Sequence, residues 1–271
     1  MKIAVFCAYD TPATVEFALN TVSYLKKKGH ELSLDNRLIK HLSKSNEYES
    51  FDSSETIDLA FDFLFSIGGD GTLLRSVPFV KDTKIPILGI NTGRLGFLTS
   101  LQKESLNESL DNFFNKKFKL VKRSLLSVTL SEKKHALSSS FAYALNEISI
   151  NRKNTTSMLS IETKINEDYL TTYWADGLII ASPTGSTGYS LSSGGPILTP
   201  DTKGIVLNPI APHNLNIRPL IVPEEATIQI SVDGRGEGHL ISLDSRIFTI
   251  DNGTLVTIKK APFPVFTIEL N

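Results

Sequence analysis

The spacing of hydrophobic residues changes near residue 118, and this change constrains the fold more than any other feature of the chain. Before it, four short apolar segments alternate with helix-like spacing: KIAVFCA, ELSLD, FDFLFSI and IPILGI. In the first helical segment Val15, Leu19, Val22 and Leu25 share one face, as in an amphipathic helix. Repeated strand–helix units of this kind predict a parallel sheet in an α/β domain over residues 1–118.

Beyond residue 118 the hydrophobic residues recur at every second position. The segments LVKRSLLSVTLS, SMLSIETKINE, ATIQISVD and IFTIDNGTLVTIKK show this pattern, and few helical patterns interrupt them. Period two is typical of strands in antiparallel sheets. Residues 119–253 are therefore predicted to form an all-β, mainly antiparallel, β-sandwich-like domain. The C-terminal segment 254–271 ends in FPVFTIELN, which could return to the first domain or pair within the second.

The composition is that of an ordinary globular protein and excludes several classes. Hydrophobic residues make up 41% and charged residues 21%, and the net charge of -1 gives no attraction to nucleic acid or to a membrane surface. No apolar run approaches the roughly 20 residues that span a bilayer, and the N-terminus lacks a signal-peptide pattern. The single cysteine, Cys7, permits no internal disulfide, which fits the cytoplasm.

A glycine turn, GGDGT, follows the strand FDFLFSI and precedes the helical segment TLLRSVPFV. Glycines let backbone N–H groups approach a ligand, and a helix N-terminus favours an anion, so the turn suits phosphate. It matches neither the Walker A loop nor GxGxxG. A carboxylate would repel phosphate, so Asp70 is expected to accept a proton from an attacking hydroxyl or to help hold a divalent cation. The alternative is a structural turn with Asp70 as the helix N-cap.

A second segment, ADGLIIASPTGSTGYSLSSGGPI, is an apolar strand followed by a long loop of Gly, Ser and Thr at residues 175–197. Its hydroxyls and N–H groups suit phosphate and ribose. The alternative is a flexible loop without function. A long loop after a buried strand is more typical of a binding segment.

Two shorter segments also stand at predicted strand positions. LGINTGRLGFLT offers Leu95, Phe97 and Leu98 as an apolar lip for a flat base. In NEI, Asn146 and Glu147 are adjacent in a predicted strand. They should point to opposite faces, so that only one faces a given pocket unless the strand bulges.

Taken together and in this order, GGDGT, INTGRLGFL, NE and DG…PTGSTGY resemble the NAD kinase family. The resemblance runs from about residue 64 to 250. PTGSTGY is its discriminating part, since GGDGT is shared with related lipid kinases and phosphofructokinases. It implies an enzyme that transfers the terminal phosphoryl group of ATP to the adenosine ribose 2′-hydroxyl of NAD, producing NADP. It further implies a Rossmann-like α/β nucleotide-binding domain, a divalent metal such as Mg²⁺, and a cytoplasmic homo-oligomer, a dimer or tetramer.

The resemblance also implies roles for individual residues. Asp70 would be the catalytic proton acceptor, with Gly71 and Arg75 beside the ligand. Asn146 and Glu147 match the motif that contacts adenosine. The other implied binding residues are Asp176, Thr184, Thr187, Gly188, Tyr189, Ser190, Leu191, Ser192, Ala211 and Arg246. The metal ligands stay unidentified.

Three positions depart from the family pattern. Many members read TPTGSTAY where this chain has SPTGSTGY, with Ser182 and Gly188. Serine keeps the hydroxyl, and glycine is expected to loosen the loop. Trp174 stands where relatives often carry a basic residue, which could alter the preference between NAD and NADH. Polyphosphate as donor and feedback by NADP stay open. So do two other functions: a kinase for a lipid or sugar hydroxyl, and a non-catalytic nucleotide-binding regulator.

Overall fold

The computed structural model describes residues 1–9, 11–42, 47–51, 61–93, 96–101, 106–236 and 238–270. The backbone divides into two compact units, one of Met1–Lys122 with Pro264–Asn271 and one of Arg123–Phe263. Each unit is described by itself below. Across the described ranges, no helix has the length and apolar character required to cross a membrane.

Seventeen strands and five α-helices are present in the described ranges. In chain order the strands are β1 (Lys2–Phe6), β2 (Glu31–Asp35), β3 (Glu49–Phe51), β4 (Phe63–Ile67), β5 (Ile87–Ile90), β6 (Phe118–Leu130), β7 (Tyr143–Ala144), β8 (Glu147–Asn151), β9 (Leu159–Ile165), β10 (Asp168–Ala175), β11 (Gly177–Ala181), β12 (Gly204–Ile210), β13 (Leu220–Pro223), β14 (Ile228–Asp233), β15 (Gly238–Leu243), β16 (Arg246–Asp251) and β17 (Val256–Leu270). The helices are α1 (Pro12–Lys27), α2 (Asn36–Ile39), α3 (Asp70–Val80), α4 (Leu106–Phe114) and α5 (Tyr189–Ser192), with 3₁₀ turns at Ala136–Ser139 and Thr184–Thr187.

The first unit is built on a parallel sheet in the order β17-β5-β4-β1-β2-β3. Its strands are short and apolar, and β1, β4 and β5 are almost wholly buried. This arrangement confirms the α/β prediction. It also brings the ends of β4 and β5 together, because the two strands pair in parallel from Leu64–Ile87 to Ile67–Ile90.

Helix α1 forms because its sequence carries signals at both ends. The Thr11 hydroxyl accepts a hydrogen bond from the Thr14 backbone N–H at 3.4 Å, and Pro12 occupies the first turn. Lys26 and Lys27 lie in the last turn, where positive charge is favourable. Val15, Val22 and Leu25 are buried as the spacing predicts, and Leu19 is partly buried.

The second unit contains the antiparallel strands that period two predicts. One sheet has the order β13-β12-β11-β8-β15-β16. The other joins β10, β9, β14 and the first part of β17, with β6 and β7 beside it. One apolar cluster takes side chains from both sheets, including Ile148 and Ile180 from the first and Ile161 and Ile228 from the second. The β-sandwich prediction is therefore confirmed.

Candidate active site

The GGDGT turn joins β4 to α3, and its backbone requires glycine at the first position. Gly68 has a φ of +151°, and a Cβ placed there would lie 2.2 Å from the Thr72 Oγ1 atom. The Gly68 N–H donates to the Ile90 carbonyl at 2.9 Å, which ties the turn to the end of β5. The turn thus stands at the carboxyl ends of two parallel strands, where α/β proteins place their ligands.

Asp70 is not the N-cap of α3, contrary to the structural alternative drawn from the sequence. The cap is Gly69, and no side chain makes a capping hydrogen bond there. Asp70 is the first helical residue, and its carboxylate turns towards the loop after β5. Asp70 therefore does not act as a helix cap.

The Asp70 carboxylate accepts hydrogen bonds from that loop. Its Oδ1 atom accepts from the backbone N–H groups of Leu98 (3.1 Å) and Thr99 (3.2 Å) and from the Thr99 hydroxyl (3.2 Å). Its Oδ2 atom accepts from the Phe97 N–H at 2.8 Å. A Cβ at Gly96 would lie 2.2 Å from Oδ1, so only glycine lets the loop come this close. Among the described partners Oδ2 has one donor, which leaves it the more open oxygen, since each carboxylate oxygen can accept about two bonds.

The other predicted residues of this unit are open to solvent. Gly71 is exposed, and nothing lies within 4 Å of a Cβ built on it. Arg75 is also exposed, with its guanidinium 5.1 Å from the centre of the Tyr9 ring. Of the predicted apolar lip, Phe97 is 68% exposed whereas Leu98 is buried. Leu95 lies outside the described residues.

In the second unit, Asn146 and Glu147 reach the same place, so the prediction of opposite faces is wrong. Asn146 precedes β8 and Glu147 begins it, so strand alternation does not govern the pair. A Cβ at Gly188 would lie 3.0 Å from Glu147 Oε2 and 3.1 Å from Asn146 Nδ2. Both side chains therefore approach the PTGSTGY segment.

The PTGSTGY segment forms a 3₁₀ turn and the start of α5 rather than a structureless loop, and hydrogen bonds join its entry to Leu145 and Asn146. The Ser182 N–H donates to the Asn146 carbonyl at 2.9 Å, and the Ser182 hydroxyl donates to the Leu145 carbonyl at 2.5 Å. The same hydroxyl accepts from the Gly185 N–H at 3.1 Å. A Cβ at Gly185 would lie 1.9 Å from the Asn146 carbonyl oxygen. Serine in place of the family's threonine thus keeps a hydroxyl that two backbone groups use, the Leu145 carbonyl and the Gly185 N–H.

Several predicted hydroxyls of this segment bond to nearby backbone groups. Thr184 and Ser190 are buried. The Thr187 hydroxyl donates to the Thr184 carbonyl at 3.1 Å, and the Ser192 hydroxyl donates to the Tyr189 carbonyl at 2.9 Å. Tyr189 and Leu191 project large side chains into solvent, with 42% and 37% exposed, and Ser192 is exposed as well. These exposed side chains, rather than the buried Thr184 and Ser190, are the groups that a ligand would meet.

Among the predicted site residues, Glu147 is the acid whose pKa is shifted. It is 9% exposed, and its pKa is raised to about 7, first by burial and then by the nearby charge of Asp244, while the Tyr189 backbone N–H acts in the opposite direction. Glu147 Oε2 and Asn146 Oδ1 are buried and have no hydrogen-bond partner among the described residues. Unpaired buried acceptors are uncommon because each one costs desolvation energy. Two of them together mark a place where a ligand donor would be stabilised.

Three other predicted residues have different surroundings. Asp176 accepts from the Arg152 guanidinium at 2.7 Å. Ala211 is exposed, with a φ of +44° just after β12. The Arg246 guanidinium donates to the carbonyls of Phe141 and Tyr143. Arg246 therefore holds backbone together, a role that the sequence did not reveal.

A separate cluster in this unit resembles a metal site in its donors. Ligand atoms of Glu132, His135 and Asp251 lie within 4.8 Å of one another. The Lys134 ammonium lies 2.9 Å from Glu132 and 2.6 Å from Asp251, however. This cluster already contains a cation of its own, and the spacing of histidines in the sequence did not indicate it.

Comparisons with known proteins show which families and relatives this chain resembles. The family description "ATP-NAD kinase N-terminal domain" matches residues 3–118, and "ATP-NAD kinase C-terminal domain" matches residues 145–270. An NAD kinase from Christiangramia forsetii is 45% identical over 275 residues, covering 100% of this chain and 93% of the relative. One from Flavobacterium psychrophilum is 46% identical over 274 residues, with the same coverage.

Solved structures of NAD and NADH kinases share the fold. A yeast NADH kinase complexed with NADH superposes with a TM-score of 0.86 at 24% identity, covering 100% of this chain and 84% of that one. An NAD kinase from Archaeoglobus fulgidus in complex with ATP gives a TM-score of 0.76 at 27% identity, with 100% and 94% covered.

Proposed function

The chain belongs to the NAD kinase family, so its reaction is the ATP-dependent phosphorylation of NAD to NADP, and we propose that Asp70 is its catalytic base. The 2′-hydroxyl oxygen of the adenosine ribose attacks the terminal phosphorus of ATP. The hydroxyl proton passes to Asp70, the bond to the bridging oxygen breaks, and ADP leaves. The observation that carries the assignment is the geometry of the carboxylate: four donors hold it rigidly, and Oδ2 keeps the more open position.

Rigid placement is the main requirement for phosphoryl transfer, because the reaction depends on alignment and on neutralisation of charge. The same loop that fixes Asp70 also exposes the Phe97 ring, a surface on which a flat base can pack. A positioned base contributes about 10²–10⁴-fold to such a reaction. Asp70 and Phe97 would therefore act together, one on the hydroxyl and the other on the nucleotide.

In the second unit, Asn146 and Glu147 would bind the dinucleotide. Their unpaired acceptors, Asn146 Oδ1 and Glu147 Oε2, suit hydroxyl or amino donors of adenosine. Gly188 leaves room for such a group, since a methyl there would crowd both side chains. Tyr189 projects beside them and offers a ring for stacking. Asp176 would bind the nucleotide only after rearrangement of its ion pair with Arg152.

We infer that Mg²⁺ enters with ATP as the MgATP substrate. Magnesium ions prefer phosphate oxygens with one or two carboxylates. Asp70 Oδ2 is suited to at most one such contact, because Oδ1 already accepts three hydrogen bonds. The triphosphate itself would supply most of the protein-independent ligands of the ion. We further propose a cytoplasmic homo-oligomer, a dimer or tetramer, on the strength of the family and the single cysteine; light scattering would give the molar mass.

The decisive experiment measures NADP formation from NAD with ATP and Mg²⁺. Asp70→Asn should lower kcat by about 10²–10⁴-fold and leave the NAD dissociation constant within about threefold. The matched control is Asp62→Asn, at the other end of β4, whose carboxylate accepts the Lys2 backbone N–H at 2.8 Å. It should keep wild-type kcat.

Other outcomes would favour other functions. Wild-type kcat in Asp70→Asn would exclude Asp70 as the base. Tight NAD binding by the wild type without any product would favour a regulator, and transfer only to a lipid or sugar hydroxyl would favour a related kinase. Runs with polyphosphate and with NADH would define the donor and the redox form.

A further inference from the structure

We propose that Asp244 is a positioning residue for NAD binding, which it serves by fixing the backbone that carries Asn146 and Glu147. This inference rests on the proposed role of those two residues. Asp244 lies in the turn between β15 and β16, almost a hundred residues further along the chain. No motif in the sequence links it to the NE pair.

The carboxylate of Asp244 accepts a hydrogen bond from three successive backbone N–H groups. Its Oδ1 atom accepts from Asn146 at 2.8 Å and from Glu147 at 3.3 Å, and its Oδ2 atom accepts from Leu145 at 3.0 Å. In return, the Asp244 backbone N–H donates to the Glu147 carbonyl at 3.0 Å. These amides stand at the start of β8, beyond the last paired residues Leu243 and Ile148. The side chain therefore continues the sheet hydrogen bonding where the strand pairing ends.

The backbone at Asp244 is adapted to this contact. Its φ is +53°, a left-handed conformation that Asp and Asn tolerate better than most residues and that glycine adopts freely. A tight turn with this conformation aims the carboxylate back at the neighbouring strand. The three charge-assisted hydrogen bonds of the carboxylate compensate for the backbone strain at Asp244.

Arg246, two residues later, holds the segment just before the NE pair. Its guanidinium donates to the carbonyls of Phe141 and Tyr143 and lies 5.3 Å from the centre of the Phe141 ring. Arg246 thus binds carbonyl groups before the NE pair, and Asp244 binds the N–H groups at the pair itself. Residues 141–147 are held at both ends, which directs the side chains of Asn146 and Glu147 towards Gly188.

Asp244 also acts on Glu147 through its charge. It is the ionisable side chain whose charge raises the pKa of Glu147, after the effect of burial, and the Tyr189 N–H opposes it. The pKa of Asp244 is itself raised by burial, while its three amide donors and the Arg246 guanidinium counteract that rise. Loss of the Asp244 charge should therefore favour ionised Glu147. This gives a readout that a purely structural role would not change.

The test is steady-state kinetics of Asp244→Asn and Asp244→Gly between pH 6 and 8. Asparagine tolerates the left-handed turn but places its side-chain amide NH₂, a donor, against the Leu145 N–H. Glycine keeps the turn and removes every side-chain acceptor. We expect the KM for NAD to rise about tenfold in the first and further in the second, with the KM for ATP unchanged within about twofold. In Asp244→Asn the pH inflection of the NAD KM, near 7 in the wild type, should move to lower pH. The control is Asp251→Asn at the far end of β16, whose carboxylate is paired with Lys134.

An unchanged NAD KM in folded variants would overturn the proposal, as would equal effects on NAD and ATP. If Asp244→Asn does not fold, Asp244→Gly provides the same comparison. The wild type alone supplies a measurement that needs no variant, since an NAD KM without an inflection between pH 6 and 8 contradicts the coupling. Failure of the proposed function gives a different result, namely a wild type that makes no NADP.

Discussion

Replacing Glu147 with glutamine should stabilise the protein at pH 8 and change its stability much less at pH 5. Glutamine keeps the shape of the side chain but cannot ionise. In the folded protein the Glu147 carboxyl has a pKa of about 7, against an ordinary value of 4.5. The wild type must therefore either keep a proton that the unfolded chain releases or carry a buried charge at higher pH.

The direction and size of the effect follow from this difference in pKa. Below pH 4.5 the group is protonated in both states, and its full contribution to stability is present. Between about pH 4.5 and 7 the unfolded chain loses the proton first, so stability falls as the pH rises. At 1.36 kcal/mol per pKa unit the loss approaches about 3 kcal/mol. Between pH 5 and 8 the advantage of Glu147→Gln over the wild type should grow by about 2–3 kcal/mol.

The assay is urea unfolding at pH 5, 6, 7 and 8, followed by the emission of Trp174. This is the only tryptophan of the chain, and it lies on β10 of the same unit. Asp244 is present in both proteins, so its own titration cancels to a first approximation. Glu162→Gln, which alters an exposed carboxyl on β9, is the matched control. An equal stability difference at pH 5 and pH 8 would refute the reasoning, and the NAD KM of Glu147→Gln should rise in the same preparations.

Two glycine substitutions test the approach of the loop to the NE pair. Gly185→Ala places a methyl 1.9 Å from the Asn146 carbonyl oxygen, so it should destabilise the protein by at least about 2 kcal/mol in urea unfolding; a neutral result would mean that the backbone yields there. Gly188→Ala restores the family's usual residue, and its methyl meets the ends of the Glu147 and Asn146 side chains at 3.0 and 3.1 Å and the Gly185 carbonyl oxygen at 3.3 Å. It should keep the melting temperature and change the NAD KM by less than about tenfold, and a loss as large as that of Gly185→Ala would contradict this.

The sequence predicts the two kinds of sheet because hydrophobic periodicity reports burial directly. Period two beyond residue 118 gives antiparallel strands, and short apolar runs before it give a parallel sheet. The spacing predicts Leu106, Leu110 and Phe113 on the inward face of a helix, and all three are buried on α4. Phe114, predicted inward as well, stacks on His30 at 4.4 Å. Such features depend on neighbours in the chain.

Contacts between distant segments could not be predicted in the same way. The donors to Asp70 come from residues 27–29 positions away, and Asp244 reaches amides 97–99 positions away. Strand alternation places the NE pair on opposite faces only if the strand includes Asn146, whereas β8 begins at Glu147. A family motif identifies a functional residue but not the groups that position it. Here most of the contacts involve backbone amides, which leave no mark on composition or spacing.

The last strand affects the order in which the chain can fold during synthesis. Thr267, near the end of β17, pairs in parallel with Ile87 of β5. The sheet of the first unit is encoded mainly by the first 122 residues, yet it lacks this strand until the ribosome has made the entire β-rich unit. Throughout that interval the Ile87 end of β5 lacks its partner strand and is an edge open to pairing with other nascent chains. The glycine turn that carries Asp70 is translated early, but the sheet beneath it is completed only after the β-rich unit has been made.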